Sequence, residues 1–317
     1  MRRVRYEVNG GPDVLFVENV AAPEPGPGEL LVDVEAIGVT LPCVRKVREG
    51  REPIPLGGEI AGTVAALGEG ATGFAVGDRV TGLCFSCGYA EQAVLHPAMT
   101  SRIPAHATAV DAIALVRSGL VARGAYESAR PEPGESVLVT AAASAIGTMA
   151  LQLAKAGGAK RVVAAVSSAE KADFVRELGA DEVVLYGDAS WGEPVDVVID
   201  AVGGELLTPA VRALSPGGRL VAFSSGGGTI EAYDLLVGGK SVIGFQMAVI
   251  ARNKPALYAR WLGELWELHT AGKLRTSVAA ELPLADAARA HELIESRRNL
   301  GKVVLVTGRT SRPMTRA

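Results

Sequence analysis

The feature that most constrains this chain is a regular alternation of continuous apolar runs and helical segments between residues 136 and 245. Ser136–Thr140, Arg161–Val166, Glu182–Leu185, Val195–Ala201, Arg219–Phe223 and Ser241–Phe245 read as strands, with helices over Ala145–Ala156, Ala169–Leu178 and Glu205–Leu214. Strands that are apolar on both faces have no side to turn to water. They therefore imply a parallel sheet covered by helices above and below, the doubly wound α/β arrangement. In such a sheet a ligand lies at the carboxyl ends of the strands where strand order reverses, and the first strand–turn–helix receives a pyrophosphate.

That first turn reads "VLVTAAASAIGTMALQLAK". Against the pattern G-x-G-x-x-G, the three places hold Ala142, Ser144 and Gly147. Alanine and serine are small enough for close approach, provided neither place needs the positive φ that only glycine adopts cheaply. The amides of Ala145, Ile146 and Gly147 open the helix, where phosphate is attracted. A plain packing turn with no ligand is the alternative. At the second strand end, an NAD-binding chain would place a carboxylate for the ribose hydroxyls. Here the sequence is "AVSSAEK", with Ser167, Ser168 and Lys171. Two hydroxyls and a cation suit a 2′-phosphate, which points to NADPH. For Lys171 the competing reading is a solvated helix face beside Glu170.

A chain of 317 residues exceeds one ordinary core, so two domains are expected. Before about Ala107, short alternating runs such as "LLVDVEAIGV" and "EIAGTVAAL", broken by Gly and Pro, predict a mainly β region. Beyond the alternating segment, helical patterns at Pro255–Ala271 and Ala285–Ser296 and a last strand "KVVLV" return to that first domain. The expected division is residues 1–114 with 250–317, and 115–249 between them. With 32 basic and 35 acidic residues, nothing favours nucleic acid or a membrane surface as a partner. No secretory signal or apolar run of about 18 residues occurs, and the three cysteines make no disulfide framework. A soluble, cytoplasmic protein is expected.

Taken together, "GGPDVLFVENVAAPEPGPGELLVDVEAIGV", "GGEIAGTVAALGEGATGFAVGDRV", "GYAE", "PGESVLVTAAASAIG", "DVVIDAVGG", "LSPGGRLV" and "GKVVLV" resemble a medium-chain dehydrogenase/reductase of the zinc-independent, quinone oxidoreductase-like group. The resemblance covers nearly the whole chain. It implies a GroES-like catalytic domain interrupted by a Rossmann domain, NADPH in the cleft between them, and a homodimer. Zinc-dependent relatives carry Cys after "GV" and His in "GHE"; this chain has Thr40 and Gly58, which cannot replace thiolate and imidazole. No metal is expected. Cys84 and Cys87 lack the further ligands of a closed zinc site, and the four histidines are scattered.

Without zinc, the resemblance implies hydride transfer to a small molecule: a quinone, or the β-carbon of an enone or other activated alkene, with hydrogen-bond donors stabilising the charge that develops. The relatives' "GVNPVD" is "GVTLPC" here, so Thr40 stands in the Asn place, and Arg45 lies near the usual Tyr. Thr40 is a candidate donor to the substrate, and Arg45 either stabilises an enolate, binds an acidic substrate or is a solvated charge. By the same resemblance Tyr186 lies beside the 2′-phosphate. Val202 and Ser224 end strands at the cofactor, Phe245 and Met247 line the nicotinamide, and Asn299 is a C-terminal contact. A nucleotide-binding sensor with little catalysis, or a tailoring enzyme with altered chemistry, are the other readings.

Overall fold

The computed structural model describes residues 1–84, 87–223 and 226–309. They divide into two compact units, one formed by Met1–Arg117 together with the chain from Val278 onward, the other by Ser118–Ser277. In chain order the first unit contributes β1 (Arg2–Arg5), β2 (Phe16–Asn19), β3 (Leu30–Val39), α1 (Leu41–Glu49), β4 (Gly58–Leu67), β5 (Arg79–Cys84), β6 (Gln92–Leu95) and β7 (Thr100–Arg102). The division between the units falls within α2 (Ala109–Ser128). The second unit holds β8 (Ser136–Thr140), α3 (Ala145–Ala156), β9 (Arg161–Val166), α4 (Ala172–Glu177), β10 (Glu182–Leu185) and β11 (Val195–Asp200). It continues through α5 (Leu207–Arg212), β12 (Leu214–Ala222), α6 (Ala232–Leu236), β13 (Ser241–Gly244), α7 (Met247–Asn253) and α8 (Pro255–Thr270). The chain then re-enters the first unit as β14 (Val278–Pro283), α9 (Ala287–Glu295) and β15 (Lys302–Val306).

The second unit is the expected doubly wound sheet. Its strands run β10-β9-β8-β11-β12-β13, every pair parallel, so strand order reverses between β8 and β11. Leu138, Val163, Val198 and Leu220 from four of these strands pack with Leu207 and Val211 of α5 and with Trp191. In the first unit the sheet order is β14-β15-β3-β4-β5-β7, with β6 also paired to β3. Apart from the parallel pair β14–β15, its pairings are antiparallel. Its core gathers Val34, Ile37, Ile60, Val80, Leu95 and Val303.

Three expectations change. The segment 250–277 belongs to the second unit rather than returning at residue 250. The reason is that α8 is zipped to α2: Arg123 donates to Glu264 at 2.9 Å, the Trp261 indole donates to Glu127 at 2.9 Å, and Gly119 leaves room for Leu265. The helix expected over Ala169–Leu178 begins as a 3-10 turn, Ala169–Lys171, before α4. Finally, Leu214 already pairs with Val195, so the strand expected from Arg219 starts earlier and runs through the Pro216–Gly217 turn on a register shift.

His291, on α9, is packed in the first unit with its Nε2 3.2 Å from the Tyr89 hydroxyl. Burial pushes its pKa from 6.5 down to about 4, with Glu295 opposing. The folded protein therefore holds the ring neutral where the unfolded chain protonates it. The associated stability is complete above about pH 6.5 and is lost as pH falls toward about 4, about 3 kcal/mol in all. Urea unfolding of the wild type at pH 7 and near pH 4.5 checks this, with His291→Asn expected to show a flatter dependence. Among the described residues no helix is long and apolar enough to cross a membrane.

Candidate active site

The turn between β8 and α3 lies where strand order reverses. Neither Ala142 nor Ser144 has a positive φ, so the substitution of glycine at those places carries no backbone cost. The left-handed residue is the one before them, Ala141, at φ 49°. Holding an alanine there costs on the order of 1 kcal/mol, and the surroundings retain it. Its amide donates to the Tyr186 hydroxyl at 2.9 Å, so the end of β10 braces the turn. Ser144 is the N-cap of α3, its Oγ accepting from the Gly147 amide at 3.1 Å. Gly147 is the place with no tolerance: a Cβ there would lie against the Ala141 carbonyl and within 2.7 Å of Ala142 Cα. The Ala145 and Ile146 amides have no acceptor among the described residues and open α3 toward a ligand.

The neighbouring strand ends are tied together by a buried carboxylate. Asp200 accepts from the Thr140 hydroxyl at 2.8 Å and from the amides of Val202 at 3.2 Å and Gly203 at 3.0 Å. Thr140 Oγ1 in turn accepts from the Ala201 amide. The backbone at Val202 is thereby fixed at the carboxyl edge of the sheet. At the end of β9, Lys171 reaches back to Ser167 at 2.9 Å, and Ser168 precedes the 3-10 turn without capping it. Ser167, Lys171, Tyr186, Val202 and the turn residues Ala142–Gly147 thus all belong to one edge of the second unit.

Phe245 is buried, its ring packed beside Gly124 and 6.5 Å from Trp261, so it serves the α2–α8 seam. Met247 begins α7 and is half-buried. Asn299 lies in the first unit, where its amide donates to the Gly301 carbonyl. Ser224 lies outside the described residues.

Thr40 is the N-cap residue of α1, yet its side chain makes no capping bond. Its hydroxyl is buried without a hydrogen-bond partner among the described residues, an expensive arrangement for a group that caps helices readily. It faces a cavity of about 130 Å³ in the first unit, walled by Cys43, Leu56, Gly57, Gly58, Cys84 and Arg117. Arg45 is half-buried on α1 and is not part of that wall; Arg117, which sequence reading passed over, is. No pattern marks Arg117, a single cation in the apolar run "AIALV" to "SGLVA". Behind the cavity wall, Glu59 and Lys302 form a buried ion pair. Burial pushes the Lys302 ammonium below its ordinary pKa, opposed by Glu59 and reinforced by Arg117. The three cysteines are free. Cys43 donates to the Gly57 carbonyl, and Cys87 contacts Arg3. Among the described residues, no group of three or more His, Cys, Asp or Glu gathers to hold a metal.

Residues 26–105 match the alcohol dehydrogenase GroES-like domain, and residues 145–262 match the family described as zinc-binding dehydrogenase. The quinone oxidoreductase of Pseudomonas aeruginosa is 32% identical over 96% of this chain and 99% of its own length. The acryloyl-coenzyme A reductase of Metallosphaera sedula is 30% identical over 92% and 96%. Among solved structures, a mycobacterial protein in complex with NADPH superposes with a TM-score of 0.90 at 31% identity, covering 96% of this chain and 100% of that one. Escherichia coli quinone oxidoreductase complexed with NADPH gives 0.87 at 28% identity, over 96% and 100%. With one relative above 30% identity matched along its entire length, and both halves of the architecture matched by domain families, the chain belongs to the quinone oxidoreductase-like family of medium-chain dehydrogenases/reductases.

Proposed function

We propose that the protein is an NADPH-dependent oxidoreductase that reduces a quinone or an α,β-unsaturated carbonyl compound without zinc. The observation that carries the reading is the β8–α3 turn, with two amides at the helix start that no described residue accepts from and backbone so close at Gly147 that no side chain fits. These features suit a pyrophosphate. Bound at this edge, NADPH would supply a hydride for the β-carbon of the acceptor, with a proton needed at the neighbouring carbon. The Ala145 and Ile146 amides receive the pyrophosphate. Lys171, held by Ser167, faces the 2′-phosphate with Ser168 and the Tyr186 hydroxyl beside it. Thr40 donates its hydrogen bond to the carbonyl oxygen on which charge develops, and the absence of thiolate at that position and of imidazole at Gly58 supports a zinc-free reaction. The relatives named quinone oxidoreductase, acryloyl-coenzyme A reductase and 2-haloacrylate reductase support both acceptor classes. The reading includes a homodimer in the cytoplasm.

Fluorescence titration with NADPH and NADH, followed by loss of NADPH absorbance against quinones, enals, oxo-enoates and acyl thioesters, tests it. Tight NADPH binding with no turnover of any of them would make the protein a sensor instead. Removing the cation in Lys171→Ala is expected to weaken NADPH about tenfold and leave NADH nearly unchanged, the size of one charge-assisted hydrogen bond.

A further inference from the structure

The cavity beside Thr40 contains more positive charge than the first unit neutralises. Arg117 is half-buried on its wall, with no hydrogen-bond acceptor or ion-pair partner among the described residues. Glu59, next to the wall residue Gly58, gives one carboxylate oxygen to Lys302, and its other oxygen makes no hydrogen bond to Arg117. Lys46, at the rim on α1, also lacks a partner for its ammonium among the described residues, and none of the described wall residues is acidic. Withdrawing part of a guanidinium from water without an acceptor is costly, and so is burying the Thr40 hydroxyl, which has no partner among the described residues. Thr40 is left to the acceptor's carbonyl oxygen, and the two cations, Arg117 and Lys46, donate only. What would satisfy them is an acceptor-only group of negative charge, and the planar fork of arginine matches a carboxylate with two parallel hydrogen bonds. A space of about 130 Å³ has the room of roughly four waters, enough for an acid group on a short stem.

We infer that this cavity seats a carboxylate carried by the acceptor, gripped by Arg117 with Lys46 at the rim. The preferred substrates are then conjugated carbonyl compounds bearing an acid group, the oxo-enoates, rather than neutral quinones. This rests on the reductase reading above, and the reaction's balance is the same: the alkene is reduced by hydride plus proton and the carboxylate is a handle that neither gains nor loses a bond.

The test compares β-acetylacrylate with its methyl ester, two acceptors with the same alkene and ketone that differ in charge. The ratio of kcat/KM for acid over ester is expected to fall at least about tenfold in Arg117→Met, chiefly through KM, and to recover in part in Arg117→Lys, which keeps the charge and loses the fork. Circular dichroism and a thermal melt establish that both variants fold. In parallel, saturation-transfer NMR with butyrate reads binding without turnover. Binding by the wild type and its loss in Arg117→Met support the site, even if no acceptor is reduced and the reductase reading fails. Turnover of the ester with an acid/ester ratio unchanged by Arg117→Met, or no butyrate binding, overturns the inference and leaves the reductase reading standing. Displacement of butyrate by inorganic phosphate at a lower concentration than by acetate would also overturn the carboxylate assignment.

Discussion

Replacing Gly147 by alanine is expected to destabilise the protein by about 3 kcal/mol and to weaken NADPH at least about tenfold. The sign is what makes the experiment informative. Gly147 lies in the first turn of α3, and within a helix alanine is favoured over glycine by up to about 1 kcal/mol. Propensity alone therefore predicts a gain. Contact geometry predicts the opposite, because the added methyl meets the Ala141 carbonyl and Ala142 Cα, which are backbone atoms unable to rotate away. The start of α3 would have to lift from β8, carrying the Ala145 and Ile146 amides with it. Chemical denaturation and an NADPH titration on the same preparation separate the two effects. A variant as stable as the wild type would mean that the helix start is loosely held, and the turn would lose its standing as a rigid phosphate seat.

Lys302→Met is expected to cost about 4 kcal/mol, the second large effect. The Glu59 carboxylate is buried, and its Oε2 already lacks a hydrogen-bond partner among the described residues. Without the ammonium it would retain a charge buried in the first unit. Gly38 lies directly on the Glu59 side chain, leaving it no room to swing outward. The double variant Glu59→Gln with Lys302→Met is expected to recover most of the loss, since removing both charges removes the desolvation penalty with the pair. Urea denaturation of the four proteins completes the cycle.

The second unit was nearly legible from the chain. β8, α3, β9 and β10 have the ends expected from the sequence, because uninterrupted apolar runs bounded by small or charged residues allow one period only. The turn was legible down to its condition: Ala142 and Ser144 avoid positive φ, while the strained position falls on Ala141, which no glycine pattern marks as special. What the sequence concealed are pairings over long separations. Glu59 and Lys302 are 243 residues apart, and neither sits in a pattern that calls for the other. Arg117 reads as a stray cation in an apolar helix until the fold sets it on the cavity wall. The surroundings of Phe245 were hidden in another way: its position after β13 was legible, but the direction of its ring depends on the notch left by Gly124 on α2. The late return of the chain at Val278 has the same origin, in side-chain matches between α2 and α8 that periodicity does not encode.

Asp200 has one more consequence. By accepting from Thr140 and from the two amides that follow β11, it locks the carboxyl ends of two adjacent strands into a single stiff lip at the place where a dinucleotide would arrive. The conformational freedom of that lip is given up when the chain folds, so little of it is left to lose on ligand capture. Affinity at this edge can therefore be high with few contacts, and a turn stripped of two glycines remains serviceable because its flexibility was never what made it bind.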